Sequence, residues 1–506
     1  MTAPFAFRLA CAALLAVGLA GCHAEPTPVT VEPWPEATPE SRGLDSVALA
    51  GIVTRVTAQA TPVHHLLLAG NGAVLSRTTW FPYDSALPHD VASVTKSVTS
   101  LLVGIALDRG ALQNLQQRVV DFFPDRPIAH LDVRKRAMTL EDLLTMRSGL
   151  ACGLQPGEPE LWQMLQAPDY LSFALDLPMA TTPGTAFAYC SLNQHLLSGI
   201  LTAATRQSLL DYADAHLFGP MGIHSAVWPA DPQGLTHGWG DLQLAPDDLA
   251  KLGQLLLDDG VWHGQRLISH AWIAASQTAM VAADAGDDYA LGWWLPHFPP
   301  GLVLAQGRGG QALAVWPEHH LVLVLLAGGA DLGTLAAQLL PALADAPLPA
   351  NPAGVALLAD ASRLDALPPT PVNPPPLPAV AAQMSGIDFA LTANPLGLSQ
   401  LRLEFADPRE ATLTWTRDSA PYVFAVGLDG VPRYAPNRLG QPAAVQGKWD
   451  GAKFIVVLDE VGLINRFVIQ LAFAQTAEGM WQLSGDVAEQ TSTLFPATAF
   501  TGTPAK

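Results

Sequence analysis

His89-Asp90-Val91-Ala92-Ser93-Val94-Thr95-Lys96-Ser97 is the stretch on which the reading of this 506-residue chain turns. Apolar residues continue behind it at Val98, Leu101, Leu102, Ile105 and Leu107, a helical spacing that Gly110 stops. On such a helix Ser93 and Lys96 stand at i and i+3 and share a face. Serine is a weak nucleophile until a base sits beside it, and lysine is a base only where burial or charge lowers its pKa. The helix N-terminus adds a dipole that favours an alkoxide. Ser-x-x-Lys alone is short and recurs by chance. Its place at the start of a strongly apolar helix makes Ser93 a candidate nucleophile and Lys96 its base.

Working outward, residues 65–69 and 73–76 are apolar runs split by Asn71-Gly72, a hairpin signature. Thr139 ahead of Glu141 and Asp142 marks a capped helix start, with Gly149 after its end. Residues 312–315 and 321–326 flank Pro317-Glu318 as a second hairpin. Strands at both ends with helices between predict an α/β (α+β) domain built on an antiparallel sheet.

Two more stretches carry chemistry. Tyr189-Cys190-Ser191 ends a predicted strand and precedes an apolar helix around 196–201. A phenol relays a proton where nearby cations stabilise its phenolate, so Tyr189 is a candidate acid–base partner of Lys96. The Ser191 hydroxyl is placed to orient the lysine or a substrate amide. Gly307-Arg308-Gly309-Gly310-Gln311 directly precedes the 312–315 strand. Glycines there let a carbonyl approach the backbone. The strand edge near Gly310 and Gln311 is then expected to donate one N–H to an oxyanion, with Ser93 N–H the other. Arg308 is a candidate partner for a substrate carboxylate.

In order and spacing these stretches, with Met138-Thr139-Leu140-Glu141-Asp142-Leu143-Leu144 and Pro183-Gly184-Thr185, resemble the serine β-lactamase-like superfamily. That superfamily groups class C β-lactamases, D-alanyl-D-alanine peptidases, related carboxylesterases and 6-aminohexanoate-dimer hydrolase. The resemblance runs over roughly residues 38–345, a one-domain length. It implies an antiparallel sheet with helices on both faces plus a helical subdomain. It also implies acylation of Ser93, proton movement by Lys96 and Tyr189, and deacylation by water. Two positions depart from the pattern: Ser191 stands where many relatives carry the Asn of Tyr-x-Asn, and Arg308-Gly309-Gly310 replaces Lys-Thr-Gly. Efficient β-lactam hydrolysis is therefore not expected, and a small-molecule ester or amide is the expected substrate. The alternative is a catalytically silent binder of cell-wall fragments on the same fold.

The rest of the chain sets bounds. A formal net charge of −19, from 26 Lys+Arg against 45 Asp+Glu, is a poor match to a nucleic-acid backbone. The 14 histidines form no metal-ligand spacing, so neither a metal nor an organic cofactor is expected; His64-His65 and His319-His320 read as strand-end surface residues. Trp293 and Trp294 read as pocket or core. Residues 1–21, with a single charge at Arg8 before an apolar run ending Leu19-Ala20-Gly21-Cys22, resemble a lipoprotein signal. Cys22 would then carry lipid, residues 22–40 would be a tether, and the protein would be anchored to a bacterial membrane facing the periplasm or the cell surface. Cys152 and Cys190 remain as an even pair in an oxidising compartment and are expected to form a disulfide. Residues 41–345 read as the hydrolase domain and the proline-dense 346–383 as a semi-rigid linker. In 384–506, short alternating segments between turn residues predict an all-β barrel or sandwich.

Overall fold

The computed structural model describes residues 34–283, 286–417, 419–437, 439–491 and 497–505; the signal segment and Cys22 lie outside the described residues. The first domain is organised by an eight-stranded antiparallel sheet. Its strands are β1 (Val63–Gly70), β2 (Ala73–Thr79), β3 (Val281–Ala282), β4 (Asp287–Ala290), β5 (Trp293–Pro296), β6 (Val303–Gly307), β7 (Gln311–Trp316) and β8 (Leu321–Ala327), in the spatial order β2-β1-β8-β7-β6-β5-β4-β3. Both predicted hairpins are present. At the first, Asn71 and Gly72 have φ of 49° and 75°, the left-handed pair that a two-residue turn between twisted strands requires.

Alternation along the central strands feeds two cores. Leu67, Leu313, Val322 and Val324 point to one face and pack with α2 (Val94–Asp108), α3 (Ser191–Thr205) and α4 (Pro246–Leu257). Leu66, Leu68, Leu323 and Leu325 point to the other and pack with α1 (Ser46–Ala58). Helix α2 is buried from Val94 to Ala106, its polar residues Thr95, Lys96, Ser97, Thr99 and Ser100 included. The Thr139 cap is a full capping box with Asp142, although that helix is only Leu140–Leu144.

Two expectations change here. His64 and His65 are not at the surface: β1 is covered on both sides, and they are 3% and 2% exposed. The proline-dense segment is not linker throughout, because Pro352–Asp365 is a helix, α5, lying on α1 and β2. Pro352 sits at its first turn, where the missing N–H costs nothing, and the Asn351 side chain caps it.

The C-terminal domain is a closed barrel. Its strands are β9 (Asp388–Leu391), β10 (Leu398–Asp407), β11 (Glu410–Arg417), β12 (Ala420–Gly427), β13 (Arg433–Pro436), β14 (Pro442–Asp450), β15 (Lys453–Glu460), β16 (Arg466–Gln475), β17 (Trp481–Glu489) and β18 (Thr498–Pro504). The order is β12-β11-β10-β9-β18-β17-β16-β15-β14-β13, and a parallel contact between β12 and β14 at Gly427 and Gln446 closes nine of them into a ring. Closure removes the open edges that a sheet would otherwise present. The barrel sits on the hydrolase domain: Gly462 O, in a loop, accepts the Asp90 N–H at 3.0 Å, and Tyr434 Oη, from β13, donates to Pro82 O at 3.3 Å.

Candidate active site

The turn before α2 is fixed residue by residue. His89 and Asp90 form a two-residue ladder with Gln243 and Leu244, and Val91 N donates to Leu242 O at 2.9 Å. Asp90 Oδ1 accepts the Ala92 N–H at 2.7 Å. Ala92 holds φ +47°, a left-handed conformation unusual for a residue with a Cβ, immediately before Ser93. Ser93 is the N-cap of α2, and one turn on Lys96 is 1% exposed. The Lys96 Nζ donates to Ser93 Oγ at 2.8 Å and to the Trp239 carbonyl at 2.8 Å. The Tyr189 ring centroid lies 5.0 Å from the same Nζ. Tyr189 is in an extended segment outside the named strands, stacked on Trp294 with centroids 5.7 Å apart. It is followed at once by Cys190, the N-cap of α3, which is bonded to Cys152. Trp293, by contrast, is core.

The other predicted site residues are placed differently from one another. Ser191 faces the same cavity as Ser93, but its hydroxyl donates to Glu158 Oε2 at 2.9 Å and its N–H to Glu158 Oε1 at 2.5 Å. Arg308 also lines the cavity, yet it is held at 3.2 Å by Glu489 of the barrel, a wholly buried carboxylate that also takes a hydrogen bond from Asn465. Gln311 is 0% exposed; its amide donates to Arg308 O and Ala327 O and accepts from Ala327 N, so its side chain pins β7 to β8. A Cβ on Gly310 would run into the Ala330 carbonyl, and one on Gly309 into Ile464 and Thr491 of the barrel. The glycine pressed against the serine is Gly307: a Cβ there would sit 2.8 Å from Ser93 N. The structure thus moves the strand edge beside the serine from Gly310 and Gln311 to Gly307.

Two groups escaped the sequence reading. The Trp239 carbonyl is the second acceptor of Lys96, and its indole is clamped between His237, stacked at 4.2 Å, and His195, edge-on at 4.8 Å. Gly238-Trp239-Gly240-Asp241, small residues around one aromatic, was the available signal. Glu158 had none, since its role depends on a fold-back to Ser191.

Ser93 opens into a cavity of about 660 Å³, whose walls include Asp90, Glu158, Asp241 and Glu460. Burial, then the negative charge of Asp241, pushes the Asp90 carboxyl up to about 7. Among the described residues no group of three His, Cys, Asp or Glu side chains is placed to hold a metal ion.

An antiparallel sheet covered by helices on both faces, with Ser-x-x-Lys opening a buried central helix, is the architecture of the β-lactamase-like hydrolases. Residues 40–347 match the family model described as Beta-lactamase, and the chain belongs to that family. It is similar to a 6-aminohexanoate-dimer hydrolase of Paenarthrobacter ureafaciens, 24% identical over 266 residues, which cover 49% of this chain and 67% of that protein. It is also similar to a D-aminopeptidase of Cereibacter sphaeroides strain KD131, 26% identical over 310 residues, 54% of this chain and 57% of that protein. The chain thus spans about two-thirds of one relative's length and little more than half of the other's. A solved structure from Bacillus anthracis, provisionally assigned as a 6-aminohexanoate-dimer hydrolase, shares the fold. It has a TM-score of 0.50 and 16% identity, covering 66% of this chain and 87% of that one.

Proposed function

We propose that the protein is a serine hydrolase that cleaves a neutral ester or amide through an acyl-enzyme on Ser93. The observation that carries this reading is the buried Lys96 Nζ at 2.8 Å from Ser93 Oγ, with the Tyr189 ring beside it. Lys96 takes the hydroxyl proton while Oγ attacks the carbonyl carbon. The resulting oxyanion lies at the N-terminus of α2, where the Ser93 N–H and the β6 edge at Gly307 face it. Collapse expels the alcohol or amine, which takes a proton from the Lys96–Tyr189 couple; water then repeats the sequence on the acyl-enzyme. The Trp239 carbonyl orients Nζ throughout.

The engagement of Arg308 by Glu489 occupies the expected partner of a substrate carboxylate and argues against an anionic substrate at Ser93, and so against efficient β-lactam hydrolysis. The test is labelling with a fluorophosphonate followed by peptide mapping, beside turnover of p-nitrophenyl butyrate. Label is expected on Ser93, and Ser93→Ala should cost several orders of magnitude in kcat/KM. Label on another residue, or undiminished turnover by Ser93→Ala, would overturn the mechanism.

A further inference from the structure

The cavity at Ser93 does not end in the hydrolase domain. It runs on into the near end of the barrel, where its wall is formed by Leu398, Trp415, Phe424, Phe467, Ile469 and Val487. These residues come from β10, β11, β12, β16 and β17. Phe467 and Ile469 are two apart, so they stand on one face of their strand, as residues lining a lumen must. The cavity is graded in polarity: Asp90, Glu158, Asp241 and Arg308 line its hydrolase side, and aliphatic and aromatic side chains predominate at the barrel end, beside Arg417 and Asn465. A ligand that fits this gradient carries a neutral reacting group and an apolar extension.

Resting on the hydrolase reading above, we propose that the barrel mouth is the subsite for a linear alkyl chain of the substrate, whose ester or amide carbonyl lies at Ser93. The barrel is then a part of substrate recognition and not an appendage. Alkyl chains gain by leaving water for this apolar stretch of wall.

Two kinetic series test this. For p-nitrophenyl alkanoates from acetate to decanoate, or for alkyl acetates of the same chain lengths, kcat/KM should climb by up to about fourfold per methylene until the mouth is filled. The series that climbs tells whether the chain belongs to the acyl or the alcohol side. Phe467→Glu, which puts a charge in the mouth, should lower the decanoate-to-acetate ratio at least about tenfold. Binding is read separately in Ser93→Ala, where methyl bromoundecanoate should quench tryptophan fluorescence and Trp415→Phe in that background should remove most of the quench. If acetate is turned over by Ser93 but neither series climbs, the alkyl subsite falls and the hydrolase reading stands. If no ester is turned over, the quench decides: loss in Trp415→Phe upholds the subsite, and no difference between the two proteins overturns it.

Discussion

Substituting Gly307→Ala puts the closest approach in the site to a quantitative trial. The new Cβ would lie 2.8 Å from Ser93 N, 2.8 Å from the Ala92 Cβ and 2.8 Å from the Val91 carbonyl oxygen, whereas ordinary contact begins at 3.4 Å. None of these atoms ends a flexible side chain, so the Val91–Ser93 turn itself must retreat by several tenths of an ångström. That turn is tied on its other sides by Leu242 O, by Asp90 Oδ1 and, through Asp90, by Gly462. Overpacking of this kind costs about 1–3 kcal/mol of stability. Displacing a nucleophile by up to an ångström costs as much as about 10²-fold in rate. The assay is kcat/KM on p-nitrophenyl butyrate with the urea midpoint measured on the same samples. Gly72→Ala is the control: it has φ +75° but nothing within 4 Å of the added carbon. It should cost about 1 kcal/mol and leave kcat/KM unchanged. Gly307→Ala retaining kcat/KM within about threefold would refute the claim that this glycine sets the position of the serine.

Arg308→Met should lower stability by about 2 kcal/mol, because it removes the cation paired with the buried Glu489 carboxylate; an unmoved urea midpoint would mean the pair is idle. The histidines should make the protein acid-labile. Burial, then the neighbouring His89, holds His64 and His65 well below the ordinary range, and burial pushes His89 down to about 4 from 6.5. Their stability contribution is complete above pH 6.5 and is lost as pH falls, by about 1.4 kcal/mol per unit for each ring that the unfolded chain protonates first. Asp90, raised to about 7, works in the opposite sense over the same window. His89→Asn should flatten the acid-side decline in urea midpoint, and an identical decline would remove His89 from the account. Cys152→Ser with Cys190→Ser releases a 38-residue separation and should cost about 4 kcal/mol, checked by thermal melting under non-reducing conditions.

Local signals carried the parts of the fold that local physics decides. The Asn71-Gly72 turn, the Thr139 cap, the apolar run after Ser93 and the alternation after residue 384 each specify structure within a few residues, and each is present. The family's own spacing brought Ser93, Lys96 and Tyr189 to one place. What stayed hidden was every partner supplied from far along the chain. Glu489 meets Arg308 across 181 residues, and Glu158 meets Ser191 across 33. Arg308 and Ser191 look free in one dimension and are engaged in three. His64 and His65 read as surface because polar residues at a strand start usually are; only the covering of β1 on both sides makes them interior. Helix α5 is hidden in a proline-dense segment, where Pro352 opens a helix and does not break one.

The contact between Gly462 and Asp90 ties the turn that holds the candidate nucleophile to a loop far along the chain. Ser93 leaves the ribosome hundreds of residues ahead of the β15–β16 turn whose Gly462 carbonyl takes the Asp90 N–H and whose Leu463 walls the cavity. A nascent polypeptide stopping short of that turn would own a serine and a lysine but an unfinished vestibule.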